Sequence, residues 1–371
     1  MEYRVPFGKV VITPEARKSV IECLDNNWIS QGPKVREFEE AYAKKFNWDY
    51  CLAVSSGSMA GIISWLAIKG KLPFGRVVTS ASAFGSTLNC LTLAGLRIAL
   101  VDIDFDTLNI NTIIASNPEY DRYALQFIAN MGNPSGLRTL RKSYNHIVGD
   151  FCEGHGASYE DGLADRYCDI AFYSFFPAHI LICGEGGMIC TNDPDLYHKA
   201  RSIRENGKDL SSQDMFRFDY LGLNGKMTDI QASIGLDYLS RFDDILERRT
   251  KVRNKLCEIV LQHKEFTTIE SQSNLIAPHA LPIVINDRYN FIEAKTAISW
   301  LATNGIQAKS LFGDLSQHKY SQYHNIDAGF YNPIAQYIGT YGFHIGCHEG
   351  ITEEDLVFID QKLRDLLRRF F

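Results

Sequence analysis

Three short segments of the sequence hold residue types that could carry chemistry, and the first is AVSSGSMAGI at 53–62. It reads as an apolar strand that runs into Ser-Gly-Ser and then into a helix. Free backbone N–H groups and hydroxyls at the start of a helix suit a phosphate group. Serine and glycine there are also typical of an ordinary cap and turn, so this segment alone leaves both interpretations open.

The other two segments place an aspartate and a histidine after strand-like runs. Asp150 follows the run 147–149, where ligands of parallel sheets bind, and its carboxylate could keep a ring nitrogen protonated or merely cap a turn. His179 lies between Ser174, at a strand end, and the glycine-rich turn GEGG at 184–187. Imidazole is suited to moving protons near neutral pH, although a lone histidine is by default a structural residue.

Alternating strands and helices must position these residues. Thr13-Pro14 predicts the start of a helix with Val20, Ile21 and Leu24 on its apolar face. Six short apolar or β-branched runs predict buried strands of a large, mostly parallel sheet with helices between them. These runs span residues 76–79, 96–101, 124–128, 147–149, 170–173 and 188–191.

The pattern changes at about Thr250 to that of a smaller α+β domain. This part ends in a helix that begins at Thr352. The inward-facing residues predicted for the helix are Leu356, Ile359, Leu363 and Leu366. We therefore expect a large α/β domain over 1–245 and a small C-terminal domain over 246–371.

Bulk properties exclude several classes of protein. The chain of 371 residues, 45% hydrophobic and 22% charged, has room for two domains, and its net charge of -6 argues against a nucleic-acid binder. The N-terminal segment MEYRVPFGKV lacks the layout of a signal peptide, and four serines interrupt the most apolar window, 53–68, so we predict a cytoplasmic protein without a membrane segment. Nine cysteines form no CxxC pair, which predicts reduced thiols and no metal.

Eight segments occur in a fixed order along nearly the whole chain. They are NNWISQGPKVREFEEAYAKKF, VSSGSMA, VDIDFDTLNI, NMGNPSG, GDFCEGHGASY, FFPAHILICGEGG, SIRENG and LGLNGKMTDIQASIGLDYL. Together they resemble the sugar aminotransferase (DegT/DnrJ/EryC1/StrS) family of pyridoxal-phosphate (PLP) enzymes. The resemblance implies PLP-dependent transferase fold type I, as in aspartate aminotransferase. It also implies a homodimer with active sites at the interface.

The resemblance implies contacts to both ends of the cofactor, and four residues match positions at its phosphate. Gly57, Ser58 and Ser174 match phosphate-binding positions of the same subunit. Asn224, in LGLNGKM, matches an asparagine that reaches the phosphate in the neighbouring subunit.

Three further residues match contacts to the cofactor ring. Phe84 falls where an aromatic side chain stacks on the pyridine. Asp150 matches the carboxylate paired with the pyridine nitrogen, which keeps the ring an electron sink. Glu153 stands where most of the family has a glutamine near the phenolic oxygen, and the dehydratase branch can carry an acid there.

His179 stands where the family has the lysine that binds the cofactor covalently. Imidazole cannot form that Schiff base, but it can serve as a general base. The change from lysine to histidine is typical of nucleotide-sugar 3-dehydratases, which remove the C3 hydroxyl of 4-keto-6-deoxyhexoses for deoxysugar biosynthesis of the lipopolysaccharide O-antigen type. The resemblance therefore implies a dehydratase that works with PLP and pyridoxamine phosphate (PMP).

The cysteine spacings offer no iron–sulfur cluster, which favours the metal-free type of dehydratase. That type regenerates its amine from L-glutamate and releases ammonia, and overall likeness suggests GDP-4-keto-6-deoxymannose as the nucleotide-sugar substrate. Two segments depart from the dehydratase pattern. The segment IRENG has Asn206 in place of a histidine that could contact the sugar, and the run ILIC after His179 is apolar where a polar run is usual, which makes the wall near the cofactor more apolar. The alternatives are a related nucleotide-sugar aminotransferase-like enzyme acting on another keto sugar, and a catalytically inactive protein that binds PLP or a nucleotide sugar.

Overall fold

The computed structural model describes residues 3–72, 74–120, 123–214, 216–269, 276–289, 292–327 and 331–371. Within these residues the chain forms twelve α-helices and thirteen β-strands. The helices are α1 Pro14–Asp25, α2 Pro33–Phe46, α3 Gly57–Ile68, α4 Ser86–Leu93, α5 Thr112–Ala115, α6 Leu137–Leu140, α7 Pro194–Arg204, α8 Asp229–Ser240, α9 Phe242–Leu261, α10 Ala294–Thr303, α11 Pro333–Tyr341 and α12 Glu353–Phe370. The strands are β1 Tyr50–Val54, β2 Arg76–Ser80, β3 Arg97–Val101, β4 Ala124–Ile128, β5 Ile147–Asp150, β6 Ser158–Tyr159, β7 Gly162–Leu163, β8 Ile170–Ser174, β9 Gly187–Thr191, β10 Phe266–Thr267, β11 Ala280–Ile285, β12 Ala308–Ser310 and β13 Gly342–Gly346.

The large sheet has seven strands in the order β1-β9-β8-β5-β4-β2-β3. Its strands are buried at nearly every position, because helices cover both faces of the sheet. All six predicted strands are present, and β1 is the seventh. The pairs of β9 with β1 and β8 are antiparallel and the others are parallel, so the predicted α/β fold class with a mostly parallel sheet is confirmed.

The small sheet has four antiparallel strands in the order β10-β11-β13-β12. Helices α9, α10 and α12 supply apolar residues to the core beside it. Helix α12 begins after its N-cap Thr352, as predicted, and buries the four predicted residues Leu356, Ile359, Leu363 and Leu366. Helix α9 runs across the predicted boundary between residues 245 and 246, and this boundary stays a prediction.

Helix α1 begins where the sequence predicted, but a different face of it is buried. Ala16 and Cys23 are buried, whereas Ile21 and Leu24 are 48% and 51% exposed and Val20 is half-buried. The helix packs on α8 through its small residues, so the bulkier apolar side chains point away from this chain. The predicted apolar face is therefore wrong for the single chain.

No helix among the described residues has the length and apolar character that crossing a membrane requires.

Candidate active site

A cavity of about 390 Å³ lies where the carboxyl ends of β1, β5 and β8 face the small sheet. Parallel strands end at one edge of a sheet, so segments far apart in the sequence meet there. Asn224 is exposed and is not among the residues that line this cavity. The other predicted site residues all line it: Gly57, Ser58, Phe84, Asp150, Glu153, Ser174 and His179.

The start of α3 forms one end of the cavity. Ser56 is its N-cap and accepts a hydrogen bond from the Met59 N–H at 3.1 Å. Gly57 and Ser58 belong to the first turn, whose N–H groups have no acceptor within the helix. A Cβ atom on Gly57 would lie 2.6 Å from the Ser174 Cβ, so glycine is needed for this close approach to β8. The result is a cradle of N–H groups and hydroxyls at the positive end of a helix dipole, which suits a phosphate.

Asp150 and Phe84 provide a carboxylate and an aromatic surface. Asp150 ends β5, and its Oδ1 accepts the Cys152 N–H at 3.0 Å. Burial raises the pKa of this carboxyl, and the hydrogen bonds with Cys152 act against that shift. A cationic ligand group would favour its charged form. The Phe84 side chain is 64% exposed, and its ring centroid lies 6.0 Å from that of Phe312.

Glu153 is held by a backbone N–H and a histidine. Its Oε2 accepts the N–H of Met131 at 2.7 Å, and its Oε1 lies 3.4 Å from Nε2 of His279. Burial raises the pKa of the Glu153 carboxyl to about 8, and the neighbouring Asp150 contributes to the shift. The carboxyl is therefore mainly protonated at pH 7.

His179 lies in the turn after β8, and its own N–H donates to the Phe176 carbonyl at 2.9 Å. Its Nδ1 is buried, and the described residues offer it no hydrogen-bond partner. Burial lowers the pKa of the imidazole to about 3, and the Arg249 and Lys309 cations add to the shift. The ring is therefore neutral at pH 7 and has a free lone pair with which to accept a proton.

Arg249, from α9, holds the turn that carries His179. Its side chain is 1% exposed, Nη2 donates to the His179 carbonyl at 3.2 Å, and Nε lies 2.8 Å from the Glu349 carboxylate. Sequence reasoning missed this residue, because an arginine in a charge-rich helical pattern resembles any solvated charge.

Three further residues missed from the sequence line the cavity from the small-sheet side: His279, His344 and Lys309. Lys309 of β12 and His344 of β13 are directly paired across the two strands. Only long-range strand pairing brings them together, and no local motif marks it. Position 279 offered a signal, since a histidine directly before the apolar strand β11 interrupts an otherwise apolar run.

Comparison with known proteins identifies the family. The model of the DegT/DnrJ/EryC1/StrS aminotransferase family matches residues 11–364. The chain belongs to this family. The family prediction made from the sequence is thus confirmed, and the protein is an enzyme of the PLP-dependent sugar aminotransferase family.

Two curated members of the family are similar to the chain over almost its full length. GDP-perosamine synthase of Escherichia coli O157:H7 is 25% identical, over 98% of this chain and 99% of that protein. GDP-4-keto-6-deoxy-D-mannose 3-dehydratase of Escherichia coli O55:H7 is 24% identical, over 94% of this chain and 96% of that protein. Since the two identities are nearly equal, overall similarity does not separate these relatives.

A solved member of the family has the same fold. It is the E. coli GDP-4-keto-6-deoxy-D-mannose-3-dehydratase with bound hydrated PLP, and the TM-score is 0.91 at 22% identity. The superposition covers 98% of this chain and all of that one. Fold type I, predicted from the sequence, is therefore confirmed.

Proposed function

We propose that the protein is a PLP- and PMP-dependent nucleotide-sugar 3-dehydratase. It would remove the C3 hydroxyl of a 4-keto-6-deoxyhexose, with GDP-4-keto-6-deoxymannose as the preferred candidate, L-glutamate as amine donor and O-antigen-type deoxysugar biosynthesis in the cytoplasm as the setting. The observation that carries the proposal is His179, which lines the cavity in the segment where the family has its cofactor-binding lysine. An imidazole there can exchange protons but cannot hold the cofactor covalently.

The cavity fits PLP at both ends. Gly57, Ser58 and Ser174 form a cradle that an added Cβ at residue 57 would fill, as a phosphate site requires. Asp150, at the end of β5, is placed to keep the pyridine nitrogen protonated, and Phe84 offers a stacking surface. When bound, PLP supplies a ring that withdraws electrons from the carbon attached to it.

His179 is the group in this cavity suited to take a proton from the C4′ carbon of the cofactor. Its Nδ1 is buried, which leaves Nε2 as the nitrogen that can act on a ligand. Burial lowers the pKa of the imidazole to about 3, which keeps it neutral at pH 7, and an anionic ligand bound beside it would raise that pKa towards the range of an effective base. Arg249 fixes the backbone of its turn. The same ring can return the proton to the hydroxyl that leaves as water.

An aminotransferase of this family needs a lysine that binds the cofactor covalently, and Lys309 is a lysine in the same cavity. Its Nζ lies over the Phe7 ring, 3.9 Å from the centroid, on a strand of the small sheet and outside the His179 turn. Borohydride treatment of the PLP-loaded protein, followed by peptide mapping, should find no cofactor attached to Lys309 or to any other residue. Cofactor fixed at Lys309 would instead favour an aminotransferase.

We also propose a homodimer with active sites at its interface. Asn224 is exposed and lies outside the cavity of its own chain, so it is free to contact a cofactor phosphate bound in a neighbouring subunit. Ile21, Leu24, Trp28 and Ile29 are exposed apolar side chains that such an interface could cover. Asn224→Ala should weaken PLP retention in a dimer. A fully active monomer by light scattering would contradict the proposal.

One assay tests the reaction itself. Supplied with PLP, L-glutamate and GDP-4-keto-6-deoxymannose, the protein should produce 2-oxoglutarate, ammonia and a 3-deoxy sugar. Recovery of an intact 4-amino sugar would show that the protein is an aminotransferase. Absence of turnover with the GDP, CDP, dTDP and UDP sugars would favour the alternative of an inactive binding protein. Running the four nucleotide series in parallel identifies the nucleotide.

A further inference from the structure

Three titratable side chains surround the ring of Phe7 on the small-sheet side of the cavity. Lys309 Nζ lies 3.9 Å from the ring centroid, and the ring centroids of His344 and His279 lie 5.1 and 5.9 Å from it. All four residues line the cavity, and we call them the Phe7 cluster. It is built by the N-terminal segment, by β12 and β13, and by the residue directly before β11.

Lys309 carries a positive charge that is not neutralised within the cluster. Among the described residues that line the cavity it is the sole lysine or arginine, and no described carboxylate lies within 4.0 Å of its Nζ. Burial lowers its pKa, and the Glu153 carboxyl acts in the opposite direction. The Glu153 carboxyl has a pKa of about 8, so at pH 7 it is mainly neutral and does not repel an anion. The Lys309 side chain is exposed to solvent at the cavity wall, where its unpaired cation can form a charge-assisted hydrogen bond to an anionic ligand.

The two histidines line the cavity without adding charge. His279 and His344 are 5% and 4% exposed, and burial lowers the pKa of both imidazoles, that of His344 to about 3. Both are neutral at pH 7, and Nε2 of His279 already faces Glu153, 3.4 Å from its Oε1. The cluster thus presents a single positive charge. This charge balances the single negative charge of a carboxylate but only half of the two negative charges of a nucleotide-sugar diphosphate.

We propose that the Phe7 cluster binds a carboxylate of the amine donor, with Lys309 as its charged contact. The inference rests on the proposed function, because only a reaction that consumes an amino acid has such a donor. The position suits this role: the ring centroids of His279 and His179 are 5.3 Å apart, so a carboxylate held here keeps the adjacent amine close to His179. The phosphate cradle at α3 is built from other elements and does not need Lys309.

Calorimetric titration of the PLP-loaded, full-length protein with glutarate tests the site. Glutarate has the two carboxylates of the donor but no amine, so it binds without reacting. Lys309→Gln should weaken glutarate binding at least about tenfold, the range expected for loss of a charged hydrogen bond, and Lys309→Arg should restore it to within about threefold. Lys264→Gln is the matched control, because Lys264 also lies over an aromatic ring, that of Tyr289, but away from the cavity.

Unchanged glutarate affinity in Lys309→Gln would overturn the proposal. So would a loss confined to GDP, titrated in parallel, since that would assign Lys309 to the nucleotide. Glutarate should also bind more weakly at pH 9 than at pH 7, because Glu153 ionises near Lys309 and because burial lowers the pKa of Lys309 itself. These titrations do not depend on turnover, so a failed dehydratase assay with intact glutarate binding would refute the reaction and leave the site standing.

Discussion

The two walls of the cavity are built in different ways. On the large-sheet wall the contacts come from a helix start and strand ends, and Gly57 and Ser174 are too close for any added atom. On the small-sheet wall they come from titratable side chains, including His279 and Lys309, whose pKa values burial displaces. His179 joins the two walls, since its turn follows β8 while its ring faces His279.

This difference separates two kinds of sensitivity. The part of the large-sheet wall at the start of α3 is made of backbone geometry and recognises shape, so it should tolerate changes of pH but not changes of volume. A wall made of titratable groups should respond to pH and to the loss of single side chains. The following predictions test this division.

The largest effect is expected at His179. His179→Asn removes the proton acceptor with little change in size, so ammonia release should fall about a hundred- to ten-thousand-fold. PLP retention after gel filtration should stay near that of the unaltered protein, because the phosphate cradle on the large-sheet wall is intact. Dehydration that survives in His179→Asn would show that His179 is not the base.

His179→Lys is the companion variant to His179→Asn. It places an amine where the family has one, so borohydride should fix PLP at residue 179, detectable by peptide mapping. Dehydration should fall as well, because the base is lost. Absence of trapping would mean that the turn does not present residue 179 to the cofactor.

A smaller effect is expected from Gly57→Ala. Its methyl group would lie 2.6 Å from the Ser174 Cβ, and overpacking of this kind typically costs about 1–3 kcal/mol of stability. Because relief of the clash must shift the phosphate cradle, we expect PLP affinity to fall about ten- to hundredfold, the same free energy expressed as binding. Equilibrium dialysis of PLP should show this loss at pH 6 and pH 8 alike. Gly70→Ala is the control, since its nearest contact is the flexible end of Lys199. A loss that changes strongly with pH would contradict the division between the walls.

The smallest effect concerns stability and Glu153. Its folded-state pKa of about 8 exceeds the ordinary value of 4.5, so the folded protein holds a proton that the unfolded chain releases. The resulting stabilisation is complete below pH 4.5 and is lost as pH rises to about 8, by at most about 1.4 kcal/mol between pH 6 and 7. Glu153→Gln should flatten this part of the pH profile in urea unfolding. If the free energy of unfolding of Glu153→Gln depends on pH as steeply as that of the unaltered protein, the titrating group is not Glu153.

The sequence predicted the large-sheet wall well, because each of its parts is local. A strand end, a cap and a glycine stand within a few residues of each other around Gly57, and the family resemblance implied that Gly57, Asp150 and Ser174 belong to one site, whose cavity all three line. The small-sheet wall was missed for the opposite reason. Lys309 meets its partners only through the pairing of β12 with β13, which no local pattern encodes.

The exposed face of α1 was missed for a related reason. Periodicity shows which side chains are apolar, whereas burial depends on which neighbour the helix packs against. Here the small residues Ala16 and Cys23 face α8, and Ile21 and Leu24 point outward. The antiparallel direction of β9 could not be predicted from the sequence either, because a short apolar run is typical of both parallel and antiparallel strands.

The hydrogen bond from Arg249 ends on the carbonyl of residue 179 and not on its imidazole. A backbone carbonyl is the same for every amino acid, so this anchor does not discriminate between side chains. A change of the side chain at residue 179 therefore leaves both the anchor and the buried pair of Arg249 with Glu349 intact. Variants with lysine or asparagine at this position should accordingly fold like the unaltered protein, so that any change in their chemistry comes from the side chain alone.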